Sequence, residues 1–408
     1  MTDFATPPTL EQGHVDMKVI GMISGTSFDA IEAVAMDLTL EHGVVNAQLL
    51  GHVSVPYEAS LRTRIANVLP PGATTIEEVC RLDTLIGQSF AEVARALGDV
   101  HFGGAPDVVC SHGQTVFHWV DGGHALGTLQ LGQGAWIAER TGATIVYDVR
   151  SRDIAAGGHG APLASLLDVL LLGKNPSHVR GSLNLGGISN ITVVGPTNAP
   201  IAFDIGSANA LMDAAVTWHT GGTETFDRDG ERAARGTIDT TLLNELLDDP
   251  YYDMPAPKST GKEYFHESYL REKVSDRLIS TDDLLATLAE LTVETVARSV
   301  EAYGVTELFA AGGGTRNPIL MAGLRRRLPD VAVSLIDDFG VPEDAKEACL
   351  FALIGFLSVH GLPSTVPSAT GASHESVLGA ILPGRQAVTS LPSSEAPTKV
   401  VFGVQVTS

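Results

Sequence analysis

Apolar positions along the chain follow two patterns. Short continuous runs stop at turns of glycine, serine, threonine, asparagine or aspartate, and longer stretches repeat apolar residues at helical spacing. Val19, Ile20, Met22 and Ile23 form the first run, and Ile31, Val34, Ala35 and Met36 follow a polar turn. The pair predicts a buried hairpin, and residues 44–55 predict a third strand that completes a meander. Val79, Leu82, Leu85, Ile86, Phe90, Val93 and Leu97 then predict a long amphipathic helix over 76–97. Strands follow at 106–110 and 144–149, with a helix at 136–141 between them.

The texture changes at Ala155-Ala156-Gly157-Gly158-His159-Gly160-Ala161-Pro162, and a helix is predicted at 163–172. The opening pattern then returns, with strands at 180–187, 191–194 and 201–206. A long helix at 284–303, strands at 307–311 and 331–335, and a helix at 344–360 complete the second half. Two halves that each open with short strands and then turn to helices predict an α/β chain of two similar domains around a cleft. The boundaries read as a flexible extension over 1–16, a first domain of 17–155 plus about 373–408, and a second of 156–372.

The turns carry the candidate chemistry. Ser24-Gly25-Thr26-Ser27 offers backbone N–H groups and three hydroxyls, a concavity suited to an anion. Asp29 and Glu32 would repel a bare phosphate but can hold a magnesium ion that bridges to one. That combination reads as an ATP-phosphate hairpin, set against an ordinary Gly/Ser turn. Gly186-Gly187-Ile188-Ser189-Asn190 is the corresponding phosphate-friendly turn of the second half. Ser111-His112-Gly113-Gln114-Thr115 follows an apolar strand at its carboxyl end, where α/β sheets place ligand contacts. Asp204-Ile205-Gly206-Ser207-Ala208-Asn209 and Gly312-Gly313-Gly314-Thr315-Arg316-Asn317 are the remaining turns of this kind.

Charge narrows the partners. With 48 acidic against 26 basic residues the formal net charge is −22, which offers nucleic acid and anionic membranes no basic footprint. An anionic substrate would need local cations, and Arg150, Arg152, Lys258, Lys262 and Arg316 stand in suitable contexts. Cys80, Cys110 and Cys349 are scattered, without a CxxC pair, and read as buried apolar residues rather than a disulfide or zinc framework. The first residues have neither a basic start nor an apolar core, and no apolar run reaches 18 residues. A soluble cytoplasmic enzyme is the expectation.

Taken in order, SGTSFD, SHGQTVFH, DVRSRDIAAGGHGAPL, LNLGGISN, FDIGSANALMD, DRDGERAARG, PKSTGKEYF, AGGGTRNPILM, EDAKEACLFAL and PSATGASHESVLG cover residues 18 to 385. This ordered set resembles the anhydro-N-acetylmuramic acid kinase family of the actin-like sugar-kinase superfamily. The resemblance implies two actin-like (ribonuclease H-like) domains with a nucleotide cleft between them. It also implies an ATP- and magnesium-dependent enzyme that opens 1,6-anhydro-N-acetylmuramic acid with water and phosphorylates O6, in cell-wall recycling.

By the same resemblance Asp204 is the base that takes a proton from water. Gly25, Thr26, Ser27, Asp29 and Glu32, with Gly186, Gly187 and Asn190, face the nucleotide phosphates, and Asp29 approaches the magnesium. Gly312, Gly313 and Asn317 lie against adenosine, while His112, Gln114, Asp148, Arg150 and Glu347 are sugar-side. Arginine suits a lactyl carboxylate because its fork binds both oxygens. Family members commonly form homodimers.

Several of these residues also have bland readings. Asp204 can cap a turn, Arg150 can cap a strand end, and Glu347 suits any helix first turn. The six-residue spacing of His112 and His118 fits no usual metal pair. The chain departs from the family at FDIGSAN for FDTGPGN, SGTSFDAIE for SGTSLDGVD, and His159 for glutamine. Ala208 would be strained if that position required a left-handed backbone. A kinase for a related sugar, or a non-catalytic nucleotide-dependent binding protein, remain the alternatives.

Overall fold

The computed structural model describes residues 16–275, 277–385 and 396–403. Its strands are β1 (Asp16–Ser24), β2 (Ala30–Glu41), β3 (Val44–Pro56), β4 (Val108–Asp121), β5 (His124–Leu131), β6 (Thr144–Tyr147), β7 (Arg180–Leu185), β8 (Ile188–Val194), β9 (Ile201–Ser207), β10 (Glu307–Ala311), β11 (Ala332–Leu335), β12 (Ala380–Leu382) and β13 (Lys399–Phe402). The chain divides into two compact units. The first comprises Met1–Gly160, Ala345–Thr365 and Ala372–Ser408, and the second Ala161–Asp344 and Val366–Gly371.

In the first unit the sheet runs β12-β6-β4-β1-β2-β3-β13, with β5 added to β4. β1, β2 and β3 form an antiparallel meander, while β4 and β6 run parallel to β1. The second unit has the order β11-β10-β7-β8-β9, with an antiparallel β7-β8-β9 meander and parallel β10 and β11. A meander whose first strand continues into parallel strands is the ribonuclease H-like order of the actin-like fold, and it occurs in both units.

Both faces of the first sheet are covered, which is why β1 is apolar almost throughout. Helix Ile76–His101 puts Leu82, Ile86 and Phe90 against Ile20, Met22, Ile31 and Ala33. Helix Lys346–Val359 lies on the other face so closely that a Cβ on Gly21 would stand 2.1 Å from the Ala348 carbonyl oxygen, and one on Gly355 2.6 Å from the Cys110 Cβ. Only glycine permits this backbone approach. The contact places 345–365 in the first unit, whereas the sequence boundaries carried the second domain through to 372. That helix is apolar all round, so no stripe in its sequence says which sheet it covers.

One expected turn proves to be strand. β4 continues from Cys110 through Ser111–Thr115 to Asp121, with a register shift against β1 and Gly113 at φ 72°. Asp204 lies within β9, which covers the strand expected at 201–206, in register with Asn190 of β8. Of the expected extension 1–16, only Asp16 is among the described residues, and it opens β1.

Candidate functional site

In the first unit, the β1–β2 turn is closed by the Phe28 N–H donating to the Gly25 carbonyl at 3.1 Å. Thr26 and Ser27 are exposed, their N–H groups meet no acceptor among the described residues, and nothing lies within 4 Å of a Cβ placed on Gly25. The turn is therefore open to a ligand. Its base is fixed from β4, where the buried Gln114 accepts from Ser24 Oγ at 2.5 Å and donates to the carbonyls of Gly25 at 3.2 Å and Thr115 at 3.1 Å. All polar atoms of the Gln114 amide are thereby engaged, so it positions the turn rather than reaching outward.

The two carboxylates expected at this turn have partners. Asp29 pairs with Arg62, and Glu32 in β2 accepts from Ser54 Oγ at 2.5 Å and meets His52 Nε2 at 2.9 Å across to β3. Among the described residues no group of three or more His, Cys, Asp or Glu side chains could hold a metal ion. A divalent ion here would rely on phosphate and water oxygens, as magnesium commonly does, with Asp29 an exposed acid beside the turn.

In the same unit β4 and the segment after β6 bring His112 and Arg150 into contact, and helix Lys346–Val359 carries Glu347 near enough for its charge to act on the guanidinium. Arg150 Nε donates to His112 Nε2 at 2.7 Å, and Nη1 donates to the Gly160 carbonyl at 2.5 Å. His112 must then carry its proton on Nδ1, which donates to the Gly113 carbonyl at 3.0 Å. Burial, aided by the Arg150 charge, pushes this imidazole down from 6.5 to about 3. The ring also packs on Phe351, with centroids 4.8 Å apart. Glu347, exposed in the first turn of helix Lys346–Val359, and buried Asp153 both favour the charged guanidinium that burial opposes. Nη2 of Arg150 has no partner among the described residues, so the fork presents one free donor edge. Asp148 stands just past β6 at φ 53°, exposed, and accepts from Ser151 Oγ at 2.6 Å.

In the second unit Asp204 is half-buried, and the chain around it is arranged to hold one of its oxygens. Ser259 Oγ at 2.8 Å and the Thr260 N–H at 3.0 Å both donate to Oδ2, leaving Oδ1 without a partner among the described residues. The backbone is pinned as well. The Asp204 N–H donates to the Lys258 carbonyl at 2.9 Å, and Tyr251 OH donates to the Asp204 carbonyl at 2.8 Å. Burial raises the carboxyl above its ordinary range; the two hydrogen bonds act against that shift and Glu263 adds to it. Sequence reasoning did not single out Ser259, Thr260 or Tyr251 as holders of Asp204, because their contacts are a hydroxyl, a backbone donor and a phenol reaching across 47 residues or more.

The glycine turns of this unit pack on one another. Asn209 Nδ2 donates to the carbonyls of Leu185 at 3.0 Å and Gly186 at 2.8 Å, tying the β7–β8 turn to the start of helix Asn209–His219. Gly312 has φ 90°, and a Cβ there would stand 2.5 Å from Asn184 Oδ1 and 2.8 Å from the Leu185 carbonyl. Gly313 faces open space. Asn317 caps helix Pro318–Arg327 by accepting from the Ile319 N–H at 3.0 Å, which occupies its side-chain oxygen. The family departures are absorbed by packing. Ile205 is buried, and Ala208 has φ −117°, so the expected strain does not arise.

No helix among the described residues is long and apolar enough to cross a membrane. A family model described as anhydro-N-acetylmuramic acid kinase matches residues 17–384. Proteins named anhydro-N-acetylmuramic acid kinase are similar over nearly their whole length. The one from Streptomyces coelicolor is 54% identical, covering 94% of this chain and 98% of that protein. That from Rhodococcus erythropolis is 50% identical over 94% and 99%, and that from Caldanaerobacter subterraneus 38% over 89% and 96%. The chain belongs to the anhydro-N-acetylmuramic acid kinase family.

Proposed function

We propose that the chain opens 1,6-anhydro-N-acetylmuramic acid with water and transfers the γ-phosphoryl group of ATP to the released O6. The observation that carries this reading is Asp204, a half-buried carboxylate with Oδ2 held by two donors and Oδ1 free. Water is a poor nucleophile, and a positioned carboxylate whose affinity for protons is raised suits it as general base. Its proton passes to Oδ1 as the water oxygen bonds to the anomeric carbon and the C1–O6 bond breaks. O6 then bonds to the γ-phosphorus as the bridging bond to the β-phosphate breaks, giving N-acetylmuramic acid 6-phosphate and ADP.

The first unit's residues take binding roles. The free edge of Arg150, held rigid by His112 and Gly160, suits the lactyl carboxylate, with Asp148 and Glu347 as exposed acceptors for sugar hydroxyls. The open N–H groups and hydroxyls of Thr26 and Ser27 suit phosphate oxygens. Magnesium, when bound with the nucleotide, would neutralise phosphate charge, and Asp29 would approach it through water. Gly313, facing open space beside the crowded Gly312, suits the flat face of adenosine.

A coupled ADP assay tests the reading. Turnover with 1,6-anhydro-N-acetylmuramic acid far above that with N-acetylmuramic acid is the expected result. Preference for the open sugar would instead favour a kinase of related specificity, and nucleotide binding without sugar-dependent ADP would favour a binding protein.

A further inference from the structure

Resting on the kinase reading, we infer that Lys262 is a phosphate ligand of the second unit, acting with the Gly186 and Gly187 N–H groups on the phosphate chain of the nucleotide. Neither of those N–H groups meets an acceptor among the described residues, although both carbonyls of the turn are used, by Ala208, Asn209 and Ala210. Two free donors at a tight turn form an anion-binding concavity. Lys262 lies directly over it. A Cβ on Gly187 would stand 2.7 Å from Lys262 Cε and 3.6 Å from Nζ, so glycine at 187 makes room for the lysine stem.

The ammonium is uncommitted. The other lysine of this segment is engaged: Lys258 Nζ donates to the carbonyls of Tyr251 and Tyr252, at 2.9 and 3.2 Å. Lys262 makes no hydrogen bond and no ion pair within 4 Å among the described residues, although the chain carries 48 acidic residues. The acid that feels its charge is Asp213 on helix Asn209–His219, itself half-buried without a hydrogen bond and pushed up to about 6 by burial. Lys262 also sits two residues after Thr260, whose N–H holds Asp204. One short segment therefore fixes the base and carries the cation, which ties phosphate engagement to the position of the carboxylate.

The test is calorimetric binding of ATP, ADP and adenosine to the full chain and to Lys262→Met, Lys262→Arg and Gly187→Ala. Lys262→Met is expected to weaken ATP and ADP about tenfold or more while leaving adenosine unchanged, since a charge-assisted contact is lost. Lys262→Arg should recover most of that loss. Gly187→Ala should reproduce it with the charge intact, because the methyl displaces the lysine stem. Because the Lys262 side chain is exposed, Lys262→Met is expected to fold normally. Unchanged ATP affinity in Lys262→Met, or equal loss of ATP and adenosine, overturns the assignment. So does a loss confined to binding of the anhydro sugar, which would make its carboxylate the anion. Lysine-dependent ATP binding without sugar turnover in the wild type would remove the sugar reading and leave the lysine in place.

Discussion

The two units place a tight polar turn at the same point, between the first two strands of a meander, yet they secure it in different ways. In the first unit the turn is clamped from β4 by Gln114, and the nearby cation Arg62 is already paired with Asp29. The neighbouring Arg150 is held by His112 and Gly160. In the second unit the turn is held by Asn209, while reactive groups are left uncommitted: Asp204 Oδ1, the Gly186 and Gly187 N–H groups, and Lys262. On the kinase reading, both units leave donors open, Thr26, Ser27 and Arg150 Nη2 in the first and Gly186, Gly187 and Lys262 in the second, but only the second adds a held carboxylate with one oxygen free to take a proton.

Substitutions in the two units should then fail differently. Asp204→Asn keeps an oxygen for Ser259 and Thr260 but removes the base, so kcat should fall at least ~10²-fold with ATP affinity nearly unchanged. Arg150→Lys should instead raise KM for the sugar more than it lowers kcat, because a point charge cannot reproduce the fork. Steady-state kinetics on both variants decides this, and near-normal kcat in Asp204→Asn would break the comparison at its main point.

Adjacent glycines of the second unit sharpen it next. Gly312→Ala puts a methyl 2.5 Å from Asn184 Oδ1 on a left-handed backbone, and should cost about 3 kcal/mol in urea melts. Gly313→Ala meets nothing within 4 Å, so it should fold as the wild type and lose only nucleotide affinity. Equal destabilisation of the two would mean that the turn is not held against Leu185 as described. In the first unit, Gln114→Leu strands the buried Ser24 hydroxyl and the Gly25 carbonyl. About 2 kcal/mol of stability should go, with a higher KM for ATP and little change in the sugar KM.

Much of this was readable from residue order, for a physical reason. The meanders announce themselves because strands buried on both faces are continuous apolar runs, and the turns because they need small residues. Spacing could not show that β4 runs on through Ser111–Thr115, since that stretch is polar although it is largely buried, and a buried strand is read from apolar residues. Nor could it show that Gln114 is fully used in positioning the backbone, that the Asn317 oxygen caps a helix, or that Glu32 faces β3. The holders of Asp204 come from a segment some 55 residues away, and only the folded chain brings them together.

The rigid half of the comparison can also be tested through pH. His112 accepts from Arg150 through Nε2, so the folded state requires a neutral imidazole until about pH 3, whereas an unfolded histidine titrates near 6.5. Between those values the unfolded chain binds more protons, so stability must fall as pH drops below 6.5 and is intact above it. His112→Gln can still accept from Arg150 through its amide oxygen but cannot titrate. Between pH 7 and pH 5 the wild type should therefore lose about 2 kcal/mol more than the variant in urea melts. Parallel losses in the two proteins would mean that His112 is not held neutral, and that Arg150 is not fixed by it.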